Sequence, residues 1–366
     1  MGRISTFGQS LYEGRVSFNF VGRRKLFYAV SAVILVVAAL AFVFRGFNYG
    51  VEFKGGVEFT AKVQTADSAT SDALVEAVEN ADVPEAGDPT VQTSGDDLIR
   101  LQTRALTQDE ATKVTESLQE AGATEVSQNL IGPTYGKQVA TKALTGLLVF
   151  LVIVVLFIWA YFREWRMALG AIVALAHDLV ITGGVYALSG FEVTPATVTG
   201  LLTILGFSLY DTVVVFDKVR ENTKGILKSS SKTYAEQANL ALNQTLVRSI
   251  NTSITALLPV GALLVAGAAV LGTGPLKDLA LALFVGMLAG TYSSIFIATP
   301  FVSQLKEREP AIKAQAARVM AKRAKQEAEP VAVATAPAHR PVAASGASKR
   351  TQPSRKPRSK RGKGHP

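Results

Sequence analysis

Gly206-Phe207-Ser208-Leu209-Tyr210-Asp211-Thr212-Val213-Val214-Val215-Phe216 sets one carboxylate, Asp211, inside an apolar run. A run of this character, extended to Thr194–Phe216, is long enough to cross a bilayer, which takes about 20 residues. A charge there costs about 2.5–3.5 kcal/mol on insertion scales unless it is paired or faces a polar cavity. Packing alone would favour Val or Leu at position 211, so Asp211 is the first candidate functional residue.

Five further apolar blocks match the first in length: Leu26–Phe44, Ala143–Phe162, Met167–Leu188, Ser249–Gly272 and Leu279–Val302. Together they predict a polytopic α-helical membrane protein with six transmembrane helices. The first block is too long for a signal-peptide core. Arg45-Gly46-Phe47-Asn48-Tyr49 follows it in place of a small-residue cleavage site, so it reads as an anchor.

Basic residues set the expected orientation. Arg3, Arg15, Arg23, Arg24 and Lys25 precede the first block, and Arg163 and Arg166 lie between the second and third. Lys218, Arg220, Lys224, Lys228, Lys232 and Arg248 cluster between the fourth and fifth. The net charge of +9 resides in the tail, where residues 303–366 carry sixteen basic and four acidic side chains. All four segments fall on one side of a six-span chain, which predicts cytoplasmic residues 1–25 and a cytoplasmic C-terminus. The tail, rich in Ala, Pro, Lys and Arg, is expected to be disordered. It reads as a topology anchor, a patch for anionic lipid or a contact with ribosomal RNA.

Residues 45–142, with sixteen acidic and eight basic side chains, form the expected extracytoplasmic segment. Its pattern is β-α-β-β-α-β. Gly56–Gln64 alternates as a strand, Ser71–Ala81 is amphipathic, and Thr90–Thr93 and Asp97–Thr103 flank the turn Ser94-Gly95-Asp96. Thr107-Gln108-Asp109-Glu110 is a capping box opening a second helix, and Glu125–Ile131 is a last strand. This order predicts an α+β, ferredoxin-like layer between spans one and two, followed by a five-helix bundle over 143–302. With no cysteine and three histidines in the chain, no cofactor or metal site is expected.

Arg248 opens the fifth block at about the depth of Asp211, and a carboxylate and guanidinium at one depth can pair across adjacent helices. Burial favours the neutral carboxyl and a cation the charged one, a balance that small movements tip. This makes Asp211 and Arg248 a candidate proton relay, with Asp178 in span three as a third member. Competing readings are a static clamp for Asp211 and a snorkelling anchor for Arg248. His177 and Asp178, as neighbours, point to different helix faces and are not an obvious pair. Ser208, Thr212, Asn251, Thr252, Ser253 and Thr255 line either an aqueous path or helix contacts.

These motifs resemble the SecF family of the bacterial protein-export machinery. The run from Gly206 to Asn222 is similar to that family's fourth-span signature. Val51-Glu52-Phe53-Lys54-Gly55-Gly56, Ile131-Gly132-Pro133, Ala176-His177-Asp178 and Arg248-Ser249-Ile250-Asn251-Thr252-Ser253 fit in order. The resemblance covers residues 20–302. It implies an accessory, non-enzymatic subunit that works with a SecD-like partner, the SecYEG channel and a translocating polypeptide in the plasma membrane. It also implies proton conduction at Asp211 and Arg248. Tyr210 departs from the Asn usual in the family. A proton-coupled half-transporter of a small molecule or lipid, and a purely structural scaffold, are the rival readings.

Overall fold

The computed structural model describes residues 9–87, 89–269 and 275–328. Six of its helices are long and apolar enough to cross a membrane. They are span one (Arg24–Phe44), span two (Pro133–Phe162), span three (Trp165–Ser189), span four (Pro195–Thr223) and span five (Tyr234–Ala269). Span six runs from Pro275 to Ser293, passes through a π-helical turn at Ser294–Ala298 and continues as Thr299–Glu307. A π-turn of this kind re-aims the side chains that follow it and recurs at functional sites.

Two spans begin well before their apolar blocks. Span two starts at Pro133, whose fixed φ suits the first helical position, and Gly132 caps it. The Gly132–Gly136 connection is therefore the first turn of a helix, packed against the turn at Phe53. A Cβ on Gly136 would lie 2.8 Å from the Phe53 carbonyl oxygen. Span five starts at Tyr234, where Thr233 and Glu236 cap each other reciprocally. Ala238, Ala241 and Leu242 then bury one face against residues near the N-terminus, including Phe20 and Val21. Arg248 thus lies inside a helix, not at its opening.

Residues 48–131 hold a four-stranded antiparallel sheet in the order β3 (Thr90–Ser94), β4 (Leu98–Thr103), β2 (Gly56–Lys62), β5 (Glu125–Ile131). Register pairs Phe59 with Leu101 and with Gln128. Alternation turns Val57, Phe59 and Ala61 inward beside Ile99 and Leu101. Two helices close this core: α1 (Ser68–Glu79) through Leu74 and Val78, and α2 (Gln108–Glu120) through Ala111, Val114 and Leu118. Thr107 caps α2 in the reciprocal box that its sequence predicts. A contact the sequence gives no hint of joins this domain to the bundle. β1 (Asn48–Tyr49) pairs in parallel with β6 (Glu192–Val193), the link between spans three and four.

The composition after span six predicts disorder, yet Pro310–Ala328 is helical. Ala, Lys, Gln, Arg and Glu are all good helix formers. Ile312, Gln315 and Val319 are buried at helical spacing, and the Gln315 amide donates to the Ser229 and Lys232 carbonyls. Ion pairs of Arg166 with Glu309 and of Lys306 with Glu164 fix the helix start beside the link between spans two and three. Residues 321–328 are the described part of a second unit; the rest of the predicted tail lies outside the described residues.

Candidate functional site

Spans four and six approach closely because small residues face larger ones along both. A Cβ on Gly200 would meet Ala282, one on Gly286 would meet Ile204, and one on Gly290 would lie 2.8 Å from the Ser208 Cβ. Backbones this near carry the next polar residues of each helix into hydrogen-bond range.

Asp211 sits at the end of this seam, 4% exposed. Ser249 of span five donates to its Oδ1 at 2.6 Å, and Ser294, first residue of the π-turn, donates to its Oδ2. The carboxylate is thus shared by spans four, five and six. Its partners are hydroxyls, which can either donate to a carboxylate or accept from a carboxylic acid.

The expected pairing of Asp211 with Arg248 is not formed. Arg248 is exposed and donates to the Tyr210 hydroxyl at 2.9 Å. Tyr210–Arg248 and Asp211–Ser249 are parallel pairs one residue apart. Each helical step turns about 100°, so one pair faces outward and the other inward. The guanidinium therefore stands next to the carboxylate's helices but on their outer face. Among the described residues no ion pair joins the two.

Asp178 is buried in span three, and Ser208 of span four donates to its Oδ2 at 2.6 Å. Asp178 and Asp211 therefore occupy successive levels of one polar seam, linked through span four. His177 departs from expectation. Its Nδ1 lies 3.4 Å from Asp178 Oδ1. Its ring stacks on Tyr292 of span six, whose hydroxyl meets Ser31 of span one. His177 Nε2 and Thr212 Oγ1 are buried without hydrogen-bond partners.

Of the other polar residues, Ser253 meets Thr291 at 2.7 Å across spans five and six, while Asn251 and Thr255 face outward. Ser294 was the ligand hardest to anticipate. Its signal is the polar quartet Thr291-Tyr292-Ser293-Ser294 within an otherwise apolar span. Among the described residues no three His, Cys, Asp or Glu side chains cluster as metal ligands do.

A second charged group lies where the sheet meets the bundle. Glu192 of β6 is buried, accepts from the Gln92 amide at 3.0 Å and stands 3.9 Å from an Arg100 nitrogen. Arg100 also pairs with Glu58. Burial pushes the Glu192 carboxyl above the usual range, and nearby Arg100 offsets this only in part.

Residues 111–308 match the family "Protein export membrane protein SecD/SecF, C-terminal", and residues 40–67 match the "SecD/SecF GG Motif". The protein translocase subunit SecF of Streptomyces coelicolor is 48% identical over 328 residues, covering 88% of this chain and 86% of that protein. SecF of Mycobacterium tuberculosis is 44% identical over 87% of this chain and 74% of that one. The crystal structure of SecDF, a translocon-associated membrane protein from Thermus thermophilus, superposes with a TM-score of 0.70 at 32% identity. It covers 80% of this chain, which spans 39% of that longer one.

Proposed function

This chain belongs to the SecF family of protein translocase subunits, and we propose that it is a non-enzymatic accessory subunit of Sec protein export that couples proton entry to late translocation. The observation that carries the proposal is the setting of Asp211: a buried carboxylate held by two hydroxyls from two other spans. A hydroxyl that donates to the carboxylate turns round to accept from the acid. Either protonation state is then satisfied, while the geometry that suits each differs.

Protonation of Asp211 puts one proton on one carboxyl oxygen, reverses the hydrogen bond of the serine facing that oxygen while the other serine goes on donating, and loosens the tie among spans four, five and six. Asp178, bonded to Ser208 three residues before Asp211, is the next station along the seam. Arg248, held on the outer face by Tyr210, stands beside these helices as the third member of the proposed relay. Movement reaches the folded domain through the first turn of span two at Gly132–Gly136.

The same reading takes the domain as a ferredoxin-like layer outside the membrane: the strand order suits a β-α-β-β-α-β sandwich, and the acidic excess of residues 45–142 suits an aqueous face. The basic links and tail support an orientation with both termini in the cytoplasm of a bacterial cell. The SecDF relative in Thermus thermophilus is one chain of which this one spans 40%, which supports a separate SecD-like subunit as partner. The remaining partners are the SecYEG channel, the moving polypeptide and the bilayer, with anionic lipid or the ribosome for the basic tail.

Asp211→Asn tests the proposal in energised vesicles. It should abolish the protonmotive stimulation of export and leave assembly with the SecD-like subunit intact. Full stimulation would sink the relay and favour the scaffold reading.

A further inference from the structure

We infer that Arg100, Gln92 and Glu192 form a clasp that positions the folded domain on the link between spans three and four, and that transmits movement of span four to the domain. This rests on the relay reading above but uses a different set of contacts from the Gly132–Gly136 turn.

Glu192 is buried at the joint although it is an acidic residue on an interhelical link only a few residues long. Two residues of the sheet converge on it: the Gln92 amide at 3.0 Å and the Arg100 guanidinium at 3.9 Å. Arg100 is anchored in turn by Glu58 on the adjacent strand β2, and Gln102 donates to the same carboxylate. On the bundle side, Glu192 is fixed to span four through its own backbone. Its carbonyl accepts from Thr197, and Thr194 and Thr197 cap the helix. Thr194 also meets Asp278 in the first turn of span six. Span four then runs as one helix to Asp211, about 24 Å away at 1.5 Å per residue. A rigid rod therefore links the buried carboxylate of the relay to the clasp.

The clasp is also suited to respond to protons arriving from outside. Glu192 faces Arg100, Glu58, Gln92 and Gln102 on the sheet, Glu52 after β1, and Lys277 and Asp278 at span six. Burial outweighs Arg100 and raises the carboxyl above its ordinary range. The docked arrangement thus favours the protonated form. Docking is tightest below the ordinary carboxylate value and loosens as pH rises through the raised one.

The chain has no cysteine, so paired cysteines report directly on the joint. Thr93 and Ser189 line opposite sides of an opening of about 380 Å³ beside the clasp. Thr93→Cys with Ser189→Cys, in the full chain assembled with its partner and without protonmotive force, gives a rate of cross-linking by a short bis-maleimide. Arg100→Gln should slow it about threefold at about pH 8, the scale of one ion pair, with recovery near pH 5. Glu192→Gln, which mimics the protonated side chain, should cross-link at least as fast as the parent and show a flatter pH profile. In energised vesicles Arg100→Gln should also lower export stimulation while proton uptake at Asp211 persists. Unchanged cross-linking in Arg100→Gln, or a parental pH profile in Glu192→Gln, overturns the clasp. If Arg100→Gln does not accumulate, Gln92→Ala makes the same test with one contact fewer. Loose cross-linking in Arg100→Gln together with full export by Asp211→Asn would keep the clasp and reject the relay.

Discussion

Gly290→Ala isolates the role of helix approach in building the polar seam. The new methyl would stand 2.8 Å from the Ser208 Cβ and 3.3 Å from its Cα, whereas ordinary contact begins at 3.4 Å. Backbone cannot yield as a side-chain tip does, so spans four and six must separate locally by several tenths of an ångström. The bond from Ser208 to Asp178 is 2.6 Å long, and the Ser294 bond to Asp211 lies one turn further along the same interface. Overpacking costs about 1–3 kcal/mol. A buried carboxylate that loses one donor forfeits about 1–3 kcal/mol more. Thermal unfolding of the purified protein in detergent should therefore fall by several degrees, and proton-dependent export stimulation should drop about tenfold or more. Gly206→Ala is the matched control. It lies in span four with nothing within 4 Å of its would-be Cβ, so it should behave as the parent. Parental stability and stimulation in Gly290→Ala would refute the claim that close approach sets the seam.

Ser249→Ala and Ser294→Ala should each reduce proton-dependent stimulation severalfold, and the double variant should fall short of the product because both act on one carboxylate; vesicle export measures this. Tyr210→Phe removes only an exposed acceptor from Arg248, so its effect should stay within about 0.5 kcal/mol, read as export rate. The helix caps make the folded domain pH-sensitive. Backbone N–H donors at Thr70 and Thr107 hold the Asp67 and Glu110 carboxyls below their usual range. That stability is complete above the unfolded values near about 4 and is lost as pH falls through the depressed ones. An acid titration followed by circular dichroism should show the loss, and Glu110→Gln should flatten it.

Most of the architecture is legible because two periodicities dominate the chain. The apolar blocks give six spans without reference to any partner. The alternation of Val57, Phe59 and Ala61 fixes which face of the sheet is buried. Strand β5, Glu125–Ile131, has the boundaries its pattern predicts. Helix ends were less legible: span five begins at Tyr234 because Ala238 and Leu242 bury against the N-terminal segment, which hydropathy does not see. The site was legible in its residues but not in its pairing. Depth along the membrane distinguishes Arg248 from Ser249 by a single 1.5 Å step, while azimuth separates them by about 100°. Only the packing of spans four, five and six decides which one meets Asp211. The clasp was not legible at all, because Arg100 and Glu192 are brought together by a parallel pairing across more than a hundred residues.

The central claim is that Asp211 itself gains and loses a proton within the membrane. Difference infrared spectroscopy on reconstituted protein, triggered by a pH step on the external face, reads the carbonyl stretch of a protonated carboxyl directly. The account predicts a band that appears on acidification, shifts when Ser249 or Ser294 is replaced by Ala, and is absent in Asp211→Asn. A native protein without the band, or the same band in Asp211→Asn, would contradict it.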